Sequence, residues 1–274
     1  MSFEHMSVEH LSAELSPLSV QFVDGIAEVR LCRPEQCNAL NIELIQALLK
    51  CLTDLQHRQD LKAVLLRAEG THFCSGLDVA SVMQSPDSIE FLLSPMPGFP
   101  HNRVQHLALG WKALSVPVIA VMKGYVFGGG LQIALGADIR LTTPDSQWSV
   151  MEGRWGLIPD MGMTVSARGL VREDRLLQLT LSAERFNGTQ AHHWGFATDV
   201  LDDPDYAAQL LLSQLAERSP EMVRAAKRLY RDSFDEVETN RLTLEEKLQR
   251  RLLGSAQQRE AAMAQLERRP PQFD

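Results

Sequence analysis

Three consecutive glycines, Gly128, Gly129 and Gly130, stand inside the stretch Lys123–Leu141, KGYVFGGGLQIALGADIRL. Before them runs the strand-like PVIAVM, and after them the helix-like apolar run LQIALGA. Residues without a Cβ at such a junction let another group come close to the backbone, or let the chain turn tightly against a neighbour. A single polar side chain, Gln132, sits in the run that follows. Those two facts limit what this chain can fold into and what it can do.

The same plan occurs twice. KAVLLRAEGTHFCSG repeats it as buried strand, glycine loop, small residues and then a helix. The first turn of a helix leaves backbone N–H groups unpaired, and these favour negative charge. Two such turns at neighbouring strand ends can aim two N–H groups at one oxygen, where a lost donor costs about 3 kcal/mol in the barrier. A close-packed turn with no ligand is the other reading of the glycines. No G-x-G-x-x-G or GxxxxGK[ST] pattern is present, so a nucleotide-binding fold is not indicated.

Bulk properties narrow the partners. The chain has 274 residues, 45% hydrophobic, which supplies a core for one large domain or a domain with a helical appendage. Its formal net charge of -8 argues against nucleic acid and against an anionic membrane surface. Cys32, Cys37, Cys51 and Cys74 form no CxxC pair and have no histidine at ligand spacing. They read as reduced thiols of a cytoplasmic protein, with no metal site expected. The start, MSFEHMSVEHLSAELSP, has no basic n-region and no apolar h-region, and residues 1–17 are expected to be a flexible leader. No apolar run approaches the roughly 18 residues of a membrane span.

Along the chain, Ser19–Leu31 predicts two strands around the turn Asp24-Gly25, and Asn41–Leu55 predicts an amphipathic helix. Lys62–Gly70 and Val116–Gly124 are buried strands, with a helix at Val104–Leu114 before the second. Gln84–Arg103, with four prolines, is expected to be an irregular insert. ADIRLTTP is a third strand, and SQWSVMEGRWGLIPDMGMT a strand and loop. Beyond Thr164 the pattern is almost wholly helical, broken by a strand-like Ala197–Leu201. Strands alternating with helices, then helices alone, predict an α/β body followed by a helical module.

RPEQCNAL, FCSGLDV, PVIAVMKGYVFGGGLQIALGADIRL and EGRWGLIPDMGMT follow one another as in the crotonase superfamily, the enoyl-CoA hydratase/isomerase family, which residues 18–273 resemble. The resemblance implies a crotonase-like spiral of ββα units over 18–200. A C-terminal helical trimerisation region would follow over 201–274, giving a homotrimer or a dimer of trimers. It also implies an acyl-CoA thioester substrate with no separate cofactor. The oxyanion donors would be the backbone N–H groups of Ser75 and Gly129, facing a thioester oxygen as an enolate forms. Glu35, Gln36 and Cys37, together with Ser75, Gly76, Leu77 and Asp78, would line the bound coenzyme A. The terminal ERRPPQF resembles the family's basic closing segment, which places Arg268 and Phe273 near the adenine or phosphates.

Family hydratases place one glutamate directly after the GGGx turn and another about twenty residues on. Here the first position is Gln132 and the second is Glu152. An amide orients a water or a substrate but takes no proton, so two-carboxylate hydration lacks a member. Asp160, eight residues beyond Glu152, matches the spacing of the acid/base pair in the family's dienoyl-CoA isomerases. That subfamily usually carries aspartate where this chain has Gln132. As a residue of PDMG, Asp160 also suits a turn. Trp148, Trp155, Leu157, Ile158, Met161 and Met163 are candidates for the apolar surroundings that would raise both carboxyls, or for core.

His192-His193-Trp194 reads as surface or packing, because adjacent histidines diverge on a helix. His101 and His106 flank the proline-rich insert, and FLLSPMPGF (Phe91–Phe99) reads as a flexible acyl wall or a packed lid. The expected activity is a double-bond shift in an enoyl- or dienoyl-CoA. The alternatives are hydration by Glu152 alone, and a catalytically weak coenzyme A-binding protein.

Overall fold

The structure, a computed structural model, describes residues 9–10, 16–82, 86–233, 251, 255–267 and 269–273. Strand β1 (Glu9–His10) pairs antiparallel with β2 (Leu18–Val23), and β2 with β3 (Ile26–Leu31) across the predicted turn. That turn needs left-handed backbone at Asp24 (φ 53°) and Gly25 (φ 85°). Helix α1 (Ile42–His57) starts where Asn41 accepts the N–H of Leu44 at 3.0 Å, and it buries Leu44, Ile45, Leu48, Leu49, Leu52 and Leu55. Strands β4 (Ala63–Ala68) and β5 (Val118–Met122) join β3 in parallel, each buried on both faces over most of its length.

After β5 the chain enters the short β6 (Tyr125–Phe127), which belongs to a second sheet. β7 (Ile139–Thr142) returns to the first sheet beside β5, β8 (Gln147–Ser149) runs parallel to β6, and β9 (Phe186–Asn187) pairs with β8. β10 (Asp199–Val200) closes the first sheet against β7. Between the strands lie α2 (Val79–Val82), α3 (Pro86–Leu93), α4 (Arg103–Ala113), α5 (Gly129–Leu135), α6 (Met163–Ser166), α7 (Glu173–Ser182) and α8 (Gly188–His193). The α/β architecture expected for a crotonase-like spiral is present, and helices α9 (Pro204–Ala216), α10 (Pro220–Ser233) and α11 (Ala256–Glu267) follow. By internal contacts the chain divides into two units. One contains the described residues up to Ala208 except Ser115–Pro117, and the other joins Ser115–Pro117 to the chain from Gln209 onward.

Two expectations are corrected. The proline-rich insert is not irregular throughout, because Pro86 opens helix α3, where its missing N–H costs nothing. Gln84 and Ser85 lie outside the described residues, and the part after α3 is loop, pinned by a Pro95–Asn102 bridge and by the Met96 N–H on the His101 carbonyl at 3.0 Å. The helical second half also holds β9, a two-residue strand too short to carry a period of two.

Every residue of α5 is buried. Gly128 enters it at φ 48°, ψ -120°, a conformation that L side chains rarely adopt. At Gly130 the constraint is space: a Cβ there would lie 2.6 Å from the Cβ of Cys74 and 2.7 Å from its carbonyl oxygen. Backbone cannot yield as a side-chain tip does, so Gly130→Ala is expected to destabilise the fold by about 1–3 kcal/mol, the usual cost of overpacking. A drop in the urea midpoint at unchanged slope is the measurement that checks it.

Candidate active site

A backbone seam joins the two glycine turns. The N–H of Phe73 donates to Lys123 O at 2.8 Å, that of Cys74 to Tyr125 O at 2.9 Å, and that of Phe127 to Cys74 O at 3.0 Å. Gly76, at φ 95°, therefore lies beside the start of α5, where a Cβ would sit 3.0 Å from Phe127 O and 3.6 Å from the Gly129 nitrogen. Leu40 and Met161 close over Gly129, with atoms 2.9 and 3.0 Å from where its Cβ would be. The thiol of Cys74 beneath the turn is pushed up to about 12 by burial, so it stays protonated and is no nucleophile.

Backbone hydrogen bonding decides which N–H groups remain available. Ser75 donates its N–H to Cys37 O at 3.0 Å, so it is not the free donor expected from the sequence. Two residues on, the Leu77 N–H has no acceptor among the described residues, and the same holds for Gly129 at the first position of α5. The donor pair open to a ligand is thus Leu77 and Gly129. Leu40 shapes this choice: its N–H donates to Gly76 O and its carbonyl accepts from Asp78, stitching both sides of Leu77, whose carbonyl accepts from Val79 while its N–H finds no acceptor among the described residues.

The expected coenzyme A segments are brought side by side. Glu35 and Gln36 are exposed on a 3-10 turn, and Cys37 follows in left-handed backbone at φ 50°. Asn38 anchors that loop by donating to Glu69 O at 2.9 Å and His72 O at 2.7 Å. Arg33 pairs with Asp78 at 3.6 Å. Arg268 lies outside the described residues, and Phe273 belongs to the second unit.

The acid residues meet through strand register. β6 and β8 are parallel with Phe127 opposite Ser149, so the turn after β8 and the helix after β6 emerge together. Gln132 on α5 donates from Nε2 to Glu152 Oε1 at 2.7 Å, and its Oε1 accepts the N–H of Met161 at 2.9 Å. The other carboxylate oxygen, Glu152 Oε2, is buried with no hydrogen-bond partner among the described residues. Burial pushes the Glu152 carboxyl above its usual range and Asp160 adds to the rise, while the Gln132 amide opposes it. Asp160 is exposed, yet desolvation by the surrounding loop still raises its carboxyl.

The apolar candidates divide. Met161, Met163 and Trp148 are buried, whereas Trp155, Leu157 and Ile158 are exposed, Ile158 by 75%. Of the buried three, Met161 lies at the site beside Gly129 and Gln132, while Trp148 packs on Phe186. His192 and His193 are exposed at the end of α8, and Trp194 packs on Phe186 and Arg175. His101 Nε2 lies 2.9 Å from His106 Nδ1 beside Phe99, a packed pair within the loop and α4. A cavity of about 490 Å³ touches none of Gln132, Glu152 and Asp160. Arg67 and Asp205 in its wall pair with each other at 3.1 Å. Among the described residues no group of His, Cys, Asp and Glu is placed to hold a metal ion, and no helix is long and apolar enough to cross a membrane.

The enoyl-CoA hydratase/isomerase family profile matches residues 21–274. This chain belongs to the enoyl-CoA hydratase/isomerase family. It is 31% identical over 261 residues to the 1,2-epoxyphenylacetyl-CoA isomerase of Escherichia coli, covering 91% of this chain and 95% of that protein. To the enoyl-CoA isomerase/hydratase of Mycosarcoma maydis it is 30% identical, over 95% of this chain and 97% of the relative. The enoyl-CoA hydratase structure from Bacillus anthracis shares the fold, with a TM-score of 0.85 at 22% identity over 94% of this chain and 98% of that one. The chain is thus an enzyme of a family that acts on acyl-CoA thioesters.

The sequence pointed to the two glycine turns and the three polar side chains, but it missed the roles of Leu77 and Met161. What sets them apart is the backbone N–H, without an acceptor among the described residues at Leu77 and bonded to Gln132 at Met161, and no side-chain type marks either.

The raised Glu152 carboxyl has a consequence for stability. As pH rises, Glu152 ionises first in the unfolded chain and only at higher pH in the folded protein. The folded state binds more protons in that window, so stability falls through it and levels off once the folded carboxyl ionises. Glu152→Gln removes the penalty. Its stability relative to the parent is expected to match at about pH 4 and to exceed it at about pH 8, where carboxyls of ordinary pKa are ionised. Urea unfolding at both pH values measures the difference, and an equal offset at both would contradict the burial argument.

Proposed function

We propose that this enzyme is an isomerase that moves a double bond in an enoyl- or dienoyl-CoA. Glu152 Oε2 removes a proton from a carbon activated by the thioester. The electron pair moves into the thioester carbonyl, whose oxygen becomes an enolate held by the N–H groups of Leu77 and Gly129. Asp160 delivers a proton to a carbon further along the chain, and the pair returns to form the shifted double bond. The step moves protons only, so it asks for no metal or redox cofactor beyond the coenzyme A carried by the substrate. Glu35–Cys37 and Ser75–Asp78 are proposed to line that coenzyme A, with Arg268 at its phosphates.

The observation that carries this reading is the Gln132 amide on Glu152 Oε1. Where water addition by two carboxylates needs a second acid, an amide is bonded to the first. Burial of Glu152 and desolvation of Asp160 support the pairing of one ionised and one protonated carboxyl near neutral pH. A single-glutamate hydratase is the second reading. It is favoured by relatives such as the probable enoyl-CoA hydratase of Mycobacterium tuberculosis, 27% identical over 93% of this chain. A trimer or a dimer of trimers in the cytoplasm goes with either reading. The exposed Leu177 and Leu181, one helical turn apart on α7, are an apolar pair that a second copy would cover.

The test is incubation with a medium-chain 3,5-dienoyl-CoA, and separately a 2-enoyl-CoA, in deuterated water, following ultraviolet absorbance and product mass. The isomerase reading expects a conjugation shift with deuterium uptake and no added water. Asp160→Asn should abolish the dienoyl shift, and Glu152→Gln should lower deuterium uptake by at least about 100-fold, the scale of a lost general base. Hydration of the 2-enoyl-CoA without any dienoyl shift would establish the hydratase instead.

A further inference from the structure

We propose that Gln132 is a positioning residue that clamps Glu152 to the Asp160–Met161 backbone through Oε1, leaving Oε2, which has no hydrogen-bond partner among the described residues, to carry the proton. The inference rests on the reading of Glu152 as the base. Gln132 is fully buried, and its side chain is bonded at both ends: Nε2 to Glu152 Oε1 at 2.7 Å, and Oε1 to the Met161 N–H at 2.9 Å.

The orientation of this amide is fixed by chemistry. Rotating it end for end would set its oxygen against the Glu152 carboxylate and its NH₂ against the Met161 N–H, two mismatches in place of two hydrogen bonds. The amide therefore reports an acceptor on Glu152 and an obligate donor at Met161. Because Met161 follows Asp160 in the chain, one side chain holds the base and the backbone beside the second carboxyl at a set spacing. A glutamate at position 132 would keep the Met161 bond, but its second oxygen would face Glu152 and the pair would have to share a proton. Hydrogen bonding at Oε1 also stops the carboxylate from exchanging its two oxygens. The buried, unpartnered Oε2 is left to meet the substrate.

Three variants separate this clamp from a merely structural glutamine: Gln132→Met, close in volume but unable to bond, Gln132→Glu, isosteric, and Glu152→Gln. The readouts are kcat and KM for deuterium uptake by the enoyl- or dienoyl-CoA that the parent turns over, normalised to folded protein by circular dichroism, and the acid limb of the kcat/KM pH profile. Gln132→Met is expected to lower kcat by about 10- to 100-fold with KM held within about twofold, the signature of a lost transition-state arrangement. Gln132→Glu is expected to move the acid limb up by about one pH unit or more, because the shared proton must leave before the base can act. Should Gln132→Met fail to fold, the Gln132→Glu limb carries the test alone.

An unchanged kcat per folded molecule in Gln132→Met, or an unmoved limb in Gln132→Glu, overturns the clamp. A rise in KM at constant kcat also overturns it, since it places Gln132 against the substrate. If Glu152→Gln still exchanges at the parent rate, the assignment of the base itself is wrong. If Glu152→Gln abolishes exchange and both Gln132 variants behave as the parent, only the clamp is wrong.

Discussion

The active-site geometry depends on the backbone seam between Phe73–Cys74 and Lys123–Phe127. Its hydrogen bonds contribute only about 1 kcal/mol each in net stability. Their value is positional, because they hold Gly76 against the Gly129 nitrogen and so bring two loops, each from the end of its own buried strand, into one corner. Cys74 must lie under Gly130 for this to work, and Gly130 has no Cβ for that reason. The parallel register of β6 and β8 then carries Glu152 to the same corner. Strand pairing and the seam thus set the positions of Leu77, Gly129 and Glu152.

That corner sets burial against hydrogen bonding. An unpartnered buried oxygen such as Glu152 Oε2 costs about 1–3 kcal/mol, more when charged. The fold tolerates it beside compensating donors, the Gln132 amide and nearby backbone N–H groups, and burial still makes the carboxyl hold its proton to higher pH. Local destabilisation of this kind is expected where a group must stay reactive, since a fully satisfied carboxylate would be a weaker base. Arg33 and Asp78 follow the opposite logic: they pair with each other and support the loops instead of reacting.

Much of this was legible in the sequence. β4 and β5 announced themselves as apolar runs ending in glycine, α1 as a periodic amphipathic helix, and the linked motifs gave the family. What escaped depended on long-range pairing. Ser75 and Leu77 are indistinguishable as donors until Cys37 is known to accept the Ser75 N–H. Trp155, Leu157 and Ile158 look like core by composition, and only the fold shows that the chain turns them outward after the Glu152 turn. Helix α3 was hidden by the prolines around it, because a proline at a helix start and one in a loop look alike in sequence.

The exposed rim bears on how two similar carboxyls take different roles. Glu152 is half-buried, with Oε2 already out of solvent, and keeps a donor, Gln132, that favours its ionised form. Among the described residues Asp160 has no side-chain donor to stabilise its charge, and it still faces solvent. In the proposed reaction an apolar acyl chain lying along Trp155, Leu157 and Ile158 would strip that solvent away. Its carboxyl would rise further than that of Glu152, because desolvation acts most on a group that had water to lose. Since two neighbouring carboxylates do not both ionise cheaply, the proton would then settle on Asp160 and leave Glu152 as the base. Substrate binding would therefore assign acid and base by covering one carboxyl, with Gln132 deciding which of the two stays charged.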